Sequence, residues 1–368
     1  MKNLLDLTIE EMKQFAVELG EKPFRGRQIF TWLHRGVRDF REMTDLSLPL
    51  RDKLTKGFAR GDFRIGGCRV AGVQEDSRDK TRKFLFRVGG ADEEREDNGG
   101  DFVEAVFMKY RYGNTLCVSS QIGCRMGCRF CAGALGGFVR NLSPGEMLDQ
   151  VLAAERYLRE KGEADEKIIN HVVVMGMGEP FDNYDNVAGF LRLLHHEAGK
   201  NMSYRNMTVS TSGIIPMIYR FAEDFPQVNL AISLHCLTDE GRSAIMPVNR
   251  RYPLDELLEA AHRYTDKTHR RITFEYTLIR GENDTAEDAA LIGKKLGGML
   301  CHVNLIPLNR VEETGYDGST RKRAEEFAAA IESAGIPATV RRELGGKIDG
   351  ACGQLRRISS CPTGTDSL

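Results

Sequence analysis

The sequence predicts an α/β protein: six βα units forming a parallel sheet covered by helices, preceded by a helical segment and a β-rich segment. Three observations carry that reading. From Asn114 onward, apolar β-branched runs alternate with amphipathic runs of helical length. Before that point, residues 1–65 show helical periodicity and residues 66–113 alternate like strands. Finally, glycine-rich and polar clusters recur at one end of the six units, the end where α/β sheets and barrels keep their active sites.

Composition bounds the function classes. Of 368 residues, 41% are apolar and 29% charged, which excludes a wholly disordered or fibrous chain. Lys plus Arg total 52 against 53 Asp plus Glu, so no overall basic field advertises a nucleic-acid partner and any such patch must be local. No apolar run of about 18 residues exists, so no transmembrane helix is expected. The N-terminal stretch MKNLLDLTIEEMKQF lacks the apolar core of a signal peptide. Nine cysteines, an odd number, point away from a disulfide framework and toward a cytoplasmic chain with metal-binding or catalytic thiols.

The elements follow in order. Residues 9–19 and 26–35 are amphipathic, and residues 47–58 form a third helical segment with Pro49 near its start. Between residues 21 and 60, ten Lys/Arg face five Asp/Glu, a local excess of five. The segments CRVAGVQ, TRKFLFRV and DFVEAVFMKYR alternate as strands, with residues 91–101 as a turn. The six main strands are residues 115–120, 171–176, 207–212, 228–235, 271–279 and 302–308. Their helices are residues 144–160, 187–196, 214–224, 254–266, 286–296 and 321–334. Residues 337–342 are a candidate for one more strand.

The clusters at the strand ends describe one site. Residues 121–137 follow the first strand and residues 176–180 the second. Ser210 to Gly213 end the third, Ser233 to His235 the fourth, and Pro307 to Asn309 the sixth. Taken singly, GMGEP reads as an ordinary βα turn, Ser210 as a strand-end hydroxyl and His235 as a core imidazole. Their joint placement around one cysteine loop favours a site.

That loop is CRMGCRFC, with Cys124, Cys128 and Cys131 spaced C-x3-C-x2-C. Thiolates are soft ligands for iron–sulfur clusters, zinc or copper(I). Three of them can hold three irons of a 4Fe-4S cubane and leave the fourth iron open. Zinc is the alternative, although a structural zinc site asks for a fourth ligand and usually C-x2-C pairs. Gly123 and Gly127 let the loop wrap a metal centre closely.

The loop, together with LCVSSQIGCRMGCRFCAGALGGFVRNL, VVVMGMGEP, VSTSGIIP, SLH, FEYTLI, HVNLIPLN and GACGQL, resembles the RlmN/Cfr family of rRNA adenine methyltransferases in the radical S-adenosylmethionine (SAM) superfamily. FRGRQIFTWLHRG and EMTDLSLPLRDKL near the N-terminus are similar too, so the resemblance covers about residues 5–356. It implies a radical SAM partial (β/α)6 barrel with a small helical N-terminal domain and a β-rich connecting segment. The implied divisions are residues 1–65, a helical RNA-binding accessory domain; 66–113, the connecting segment; 114–342, the barrel; and 343–368, a C-terminal loop and tail.

The resemblance also implies a chemistry. Carbon 2 of adenine is no nucleophile, so direct methyl displacement from SAM fails, whereas a carbon radical adds there. The 4Fe-4S cluster on Cys124, Cys128 and Cys131 would cleave SAM to a 5′-deoxyadenosyl radical. Gly178, Glu179, Ser210, Ser233, Leu234, His235 and Asn309 would hold SAM, with Glu179 accepting from its ammonium group. Cys352, in the polar glycine-rich stretch GGKIDGACGQL, would take a methyl group from a first SAM as a thiolate. The radical from a second SAM would then activate that methyl group, giving an enzyme–RNA crosslink. Cys117 would help resolve the crosslink through a transient Cys117–Cys352 disulfide. Glu104 would accept the carbon-2 proton. The implied substrates are adenine 2503 of 23S rRNA, before full ribosome assembly, and as a second candidate adenine 37 of tRNA. An electron donor such as flavodoxin is implied, and no membrane.

Simpler readings stand beside these. Cys117 in TLCV reads by itself as a small buried hydrophobe, and Glu104 in FVEAVF as a strand carboxylate that faces either solvent or the site. Cys68, Cys236, Cys301 and Cys361 take no role, and Phe30 and Trp32 read as core residues. Cys131-Ala132-Gly133-Ala134 departs from the family's common C-A-T-G, and Lys347 and Gly350 depart from its common DIDAACGQL. Those changes touch loop packing and leave the thiols intact. The alternatives are methylation at carbon 8 by a Cfr-type enzyme, although FEYTLI and NLIPLN are closer to the carbon-2 members, and a non-catalytic zinc- or RNA-binding protein.

Overall fold

The computed structural model describes residues 1–89, 101–163, 167–309, 312–342, 344–345, 348, 350 and 353–355. Cys352 and Cys361 lie outside the described residues, as does the expected turn at residues 91–101 apart from Asp101.

The N-terminal helices form where local signals ask for them. A short parallel pair, β1 (Lys2–Asn3) and β2 (Phe63–Arg64), brackets the segment. Thr8 opens α1 (Ile9–Glu18) through a capping box with Glu11. Pro23 opens α2 (Pro23–His34) three residues ahead of the expected start, since proline suits a first helical turn. The two helices touch at Gly26, where a Cβ would stand 2.4 Å from the Met12 carbonyl oxygen. With α3 (Leu48–Ala59), they bury Met12, Phe15, Ile29, Phe30 and Leu33 in a hydrophobic cluster that runs on into the barrel. Phe30 is core, as expected.

Four strands then form an antiparallel meander: β3 (Arg69–Glu75), β4 (Arg82–Arg87), β5 (Phe102–Tyr110) and β6 (Gly113–Val118). A small pair, β7 (Gln121–Ile122) and β8 (Arg140–Asn141), closes the base of the cysteine loop, with a one-turn helix α4 (Ala132–Leu135) inside it. The alternation follows: α5 (Pro144–Glu160), β9 (His171–Val174), α6 (Tyr184–His195), β10 (Met207–Thr211), α7 (Ile215–Asp224) and β11 (Asn229–Ser233). It continues as α8 (Asp239–Ile245), α9 (Leu254–Thr268), β12 (Ile272–Leu278), α10 (Ala286–Leu296), β13 (Cys301–Pro307), α11 (Arg321–Ser333) and β14 (Ala338–Val340).

One ten-stranded sheet has the order β14-β13-β12-β11-β10-β9-β6-β5-β4-β3. From β6 to β14 all neighbours are parallel. Its two edges, β14 and β3, do not pair, so the sheet curls without closing: a partial barrel. The antiparallel β3–β5 extend the barrel's own sheet.

Register fixes which residues share the inner face. Val106 pairs with Cys117, Cys117 with Val173, and Val173 with Thr208. Ser210 pairs with Ala231, Ser233 with Glu275, and Glu275 with Asn304. Because side chains alternate along a strand, Glu104, Cys117, Ser210, Ser233, Glu275 and Asn304 all stand on one face.

The basic excess in the N-terminal segment divides. Lys22, Arg27 and Arg35 are exposed. Arg38 bonds the fully buried carboxylate of Asp149 on α5 and the Ile65 carbonyl. Asp149 also accepts from the Gly67 and Cys68 N–H groups at 2.8 Å each. Arg38 is therefore a bolt between the helices and the barrel, with little left for a partner. Arg38→Met should lower the unfolding free energy by about 3 kcal/mol, because a buried carboxylate loses its nearest cation. Arg27→Ala removes only an exposed pair with Glu197 and should cost less than about 1 kcal/mol. Urea denaturation of both variants checks the contrast, and equal losses would contradict it.

Candidate active site

The first parallel strand delivers its chain into a lattice of side-chain amides. Gln150 on α5 holds both the Ser119 N–H and the Ser119 carbonyl, at 3.0 and 2.9 Å. The Ser119 hydroxyl donates to the Glu104 carbonyl at 2.7 Å and accepts from the Met177 N–H at 2.9 Å. Gln121 accepts from the Glu179 N–H at 2.8 Å and donates to Asn141 and Asp182. Gly178, at φ 101, lies so close that a Cβ would stand 2.8 Å from the Gln121 nitrogen. The turn after β9 is thereby fastened to the start of the cysteine loop.

The loop is pinched at Gly123, where φ is 71 and a Cβ would fall 1.7 Å from the Gly137 oxygen. No side chain fits there. Beyond the pinch, Cys124, Cys128 and Cys131 line one pocket. The loop is tied outward by the Arg129 N–H to the Ile245 carbonyl at 3.0 Å, and by the Ala132 N–H to the Gly353 carbonyl at 2.8 Å. Gly353 lines the pocket as well. The residue that follows Cys352 in the sequence is thus bound to the cysteine loop.

Burial pushes the Cys124 thiol up to about 12, against the Met126 N–H that favours its anion, and pushes Cys128 well above the ordinary thiol range. Ligand binding would have to displace those protons. Among the described residues, no three His, Cys, Asp or Glu side chains are grouped closely enough to share a single metal ion.

Opposite the thiols stand the strand ends. Gly178, Glu179, Ser210, Ser233 and His235 line the pocket. Leu234 does not: its side chain is core, and its N–H and carbonyl bond Glu275 and Arg242. Asn309 is half-buried and outside the lining, although its neighbour Leu308 belongs to it.

Glu179 is buried, and that burial raises its pKa against the hydrogen bonds it receives from Ser212, Phe181 and Thr211. One oxygen accepts from the Phe181 N–H at 3.0 Å and the Thr211 hydroxyl at 2.8 Å; the other accepts from the Ser212 N–H at 2.7 Å. A carboxylate offers about four acceptor positions, so one remains for a ligand cation. His235 takes φ 55, rare for a residue with a side chain. Its Nδ1 accepts from the Thr277 N–H at 2.9 Å. Burial, with Arg242 nearby, lowers its pKa to about 3, so the ring is neutral and its proton sits on Nε2.

Glu104 and Cys117 share the inner face but stand outside the pocket lining. Glu104 is buried, 2% exposed, with the Lys83 ammonium 3.2 Å away; it does not face solvent. Cys117 is also buried. Cys68, Cys236 and Cys301 are buried thiols.

Several pocket residues were not singled out in the sequence. Thr211 and Ser212 follow Ser210 directly and serve Glu179. Glu275 lines the pocket, buried and held by the Asn304 amide at 2.8 Å; burial raises its pKa, with Arg341 opposing. Its signal was available: a carboxylate within a strand, Ile272–Leu278, otherwise read as apolar.

Comparison with known proteins agrees with this geometry. Residues 2–59 match the ribosomal RNA large subunit methyltransferase N-terminal domain, and residues 118–291 match the radical SAM superfamily. The chain is 47% identical over 358 residues to a probable dual-specificity RNA methyltransferase RlmN of Clostridium perfringens (strain SM101 / Type A), covering 97% of each. It is equally identical to the namesake in Thermoanaerobacter sp. (strain X514), covering 97% of this chain and 98% of that one. The crystal structure of a radical SAM methyltransferase from Sphaerobacter thermophilus superposes with a TM-score of 0.88 at 42% identity, over 97% of this chain and 100% of that one. An open parallel barrel, a pinched three-thiol loop and near full-length relatives lead to one conclusion: the chain belongs to the RlmN family of radical SAM RNA methyltransferases.

Proposed function

We propose that this protein methylates carbon 2 of adenine 2503 in 23S rRNA, and of adenine 37 in tRNA, with Cys352 as methyl carrier and two SAM molecules per turnover. One observation carries the reading. The three thiols of the cysteine loop, the polar strand ends and Gly353, the neighbour of Cys352 in the sequence, line a single pocket.

The residues fit a 4Fe-4S cluster. A cubane asks each thiolate to bind a different iron, so thiols spread around one pocket serve it better than thiols converging on one ion. Cys124, Cys128 and Cys131 would hold three irons, with SAM's amino and carboxylate groups at the fourth. When bound, such a cluster supplies the electron for reductive cleavage of SAM, drawn from a flavodoxin-like donor. The chain does the rest. Glu179 keeps one acceptor position toward SAM's ammonium, and neutral His235 presents an Nε2–H donor. Ser210 and Ser233 offer hydroxyls from neighbouring strand ends. Cys352 would carry the methyl group as a thioether. Glu104, on the inner face, would take the carbon-2 proton. Cys117 shares that face and would resolve the crosslink through a disulfide with Cys352.

The exposed Lys22, Arg27 and Arg35 would meet RNA phosphates. Such contacts supply affinity and salt dependence without base specificity. Because the helical segment shares a core with the barrel, charge reversal is a cleaner test than truncation. Lys22→Glu with Arg35→Glu should weaken binding to an rRNA fragment and flatten its salt dependence, with the melting temperature unchanged. Unaltered RNA affinity would assign these helices a purely structural role.

Mass spectrometry of rRNA and tRNA from cells with and without the protein tests the reaction itself. Adenine methylated at carbon 2 should disappear with the gene; loss of the carbon-8 product would favour the Cfr-type reaction. Cys124→Ala, Cys128→Ala or Cys131→Ala should each abolish SAM cleavage and the absorbance near 400 nm expected after anaerobic reconstitution. Turnover by any of the three would overturn the cluster assignment.

The two remaining cysteines separate by product. Cys352→Ala should form neither methylated adenine nor crosslink. Cys117→Ala should accumulate a covalent enzyme–RNA adduct, visible by intact mass under denaturing conditions, and the double variant should lack it. Normal turnover by Cys117→Ala would mean that Cys117 is merely a core residue of β6.

A further inference from the structure

The one fully buried arginine among the described residues stands directly behind this pocket. Arg242, on α8, is 0% exposed. All four of its hydrogen bonds go to neutral oxygens. Nη2 donates to the Ser212 carbonyl at 2.7 Å and the Ser233 carbonyl at 3.0 Å. Nε donates to the Leu234 carbonyl at 3.1 Å, and Nη1 to the Asn249 side chain at 2.9 Å. One guanidinium thus staples the C-terminal ends of β10 and β11 together.

Those are the ends that carry the pocket's polar groups. Ser212 is held from both sides, its carbonyl by Arg242 and its N–H by Glu179. Leu234 precedes His235, whose left-handed backbone persists only if its surroundings over-determine it. Arg242 holds the carbonyl before His235, and the Asn283 amide holds the carbonyl of His235 itself at 2.7 Å. On the other side, the helix bearing Arg242 ends at Ile245, whose carbonyl accepts from Arg129 of the cysteine loop. The helix of Arg242 thus joins the strand ends to the cysteine loop, and the groups that interact electrostatically with the guanidinium are Cys128, Cys236 and Asp239.

A buried guanidinium costs several kcal/mol unless an anion balances it. Burial lowers the Arg242 pKa to about 10, which still leaves it charged at neutral pH. None of its hydrogen-bond partners supplies that anion; Asp239, a carboxylate on its own helix, is exposed and meets it only through the Asn249 amide. Three thiolates on an iron–sulfur core leave it net negative, and reduction adds another negative charge.

We propose that Arg242 is the positioning residue of this pocket, which sets the strand ends that receive SAM and acts as the buried counter-charge of the cluster. The proposal rests on the cluster reading above. The planar fork does the positioning, and lysine cannot copy it. The charge favours the one-electron-reduced cluster, and lysine can supply that.

The test compares wild type, Arg242→Lys and Arg242→Met after anaerobic reconstitution. Iron content, the cluster midpoint potential and the SAM dissociation constant are measured by iron assay, EPR-monitored redox titration and the effect of SAM on the EPR signal. Arg242→Met should show a reduced-to-oxidised ratio about tenfold smaller at a fixed potential, about 59 mV more negative for one electron. Arg242→Lys should keep the wild-type potential. Both variants should bind SAM about tenfold more weakly, about 1.4 kcal/mol. A lowered melting temperature with unchanged potential and SAM affinity would make Arg242 merely structural and overturn the proposal. Should Arg242→Met fail to fold, Arg242→Lys decides alone, and wild-type SAM affinity in it overturns the proposal. A wild-type protein that takes up no iron overturns the cluster reading itself, a result distinct from both.

Discussion

The contact of Gly178 with Gln121 is the constraint on which the pocket depends. It brings the turn after β9 against the chain leaving β6, at a separation no side chain allows. Gln121 then uses its whole amide: its oxygen takes the Glu179 N–H, and its nitrogen serves Asn141 and Asp182. With that junction fixed, the cysteine loop starts at a fixed point and Glu179 enters at a fixed angle. The pinch at Gly123 closes the same loop at its other side. Preorganisation of this kind matters because a reactive radical tolerates little misplacement of its target.

The buried ionisable groups at the back of this pocket are each held by several hydrogen bonds. Glu179 accepts three hydrogen bonds, Arg242 donates four, and His235 is held through its ring and its backbone. Unsatisfied, any of them would cost about 1–3 kcal/mol or more. The wall of the pocket is in this sense one connected network: Arg242 holds Ser212, Ser212 holds Glu179, and Glu179 is held to Gln121. Rigidity bought this way costs little apolar packing, since the core continues beneath it from the N-terminal helices to β14.

The helical segment adds a second consideration. Its basic residues look alike in the sequence but differ in the fold. Arg38 is committed to Asp149, whereas Lys22 and Arg35 face outward. A charge count cannot distinguish a bolt from a docking surface, because the difference lies in what a remote helix presents across the interface.

Much was legible in the sequence by itself. The period of the apolar residues set the order of the elements, because each strand and helix must bury one face whatever its neighbours. The helix expected at residues 144–160 forms over Pro144–Glu160, its start fixed locally by the Ser143–Glu146 capping box. C-x3-C-x2-C marked the thiol loop because its chemistry is local. Where the information was not local, the sequence was silent or misleading. It extended the fourth strand to residue 235, while the chain leaves β11 at Ser233 and turns left-handed at His235. It placed Leu234 and Asn309 at the pocket, from which Leu234's side chain turns into the core and Asn309 stands aside. It left Glu104 between solvent and the site, and the sheet buries it beside Lys83. It gave no sign of Arg242, an arginine in an unremarkable polar helix. Strand register, a curled sheet and contacts between residues tens of positions apart decide which side chains meet, and those are properties of the tertiary structure alone.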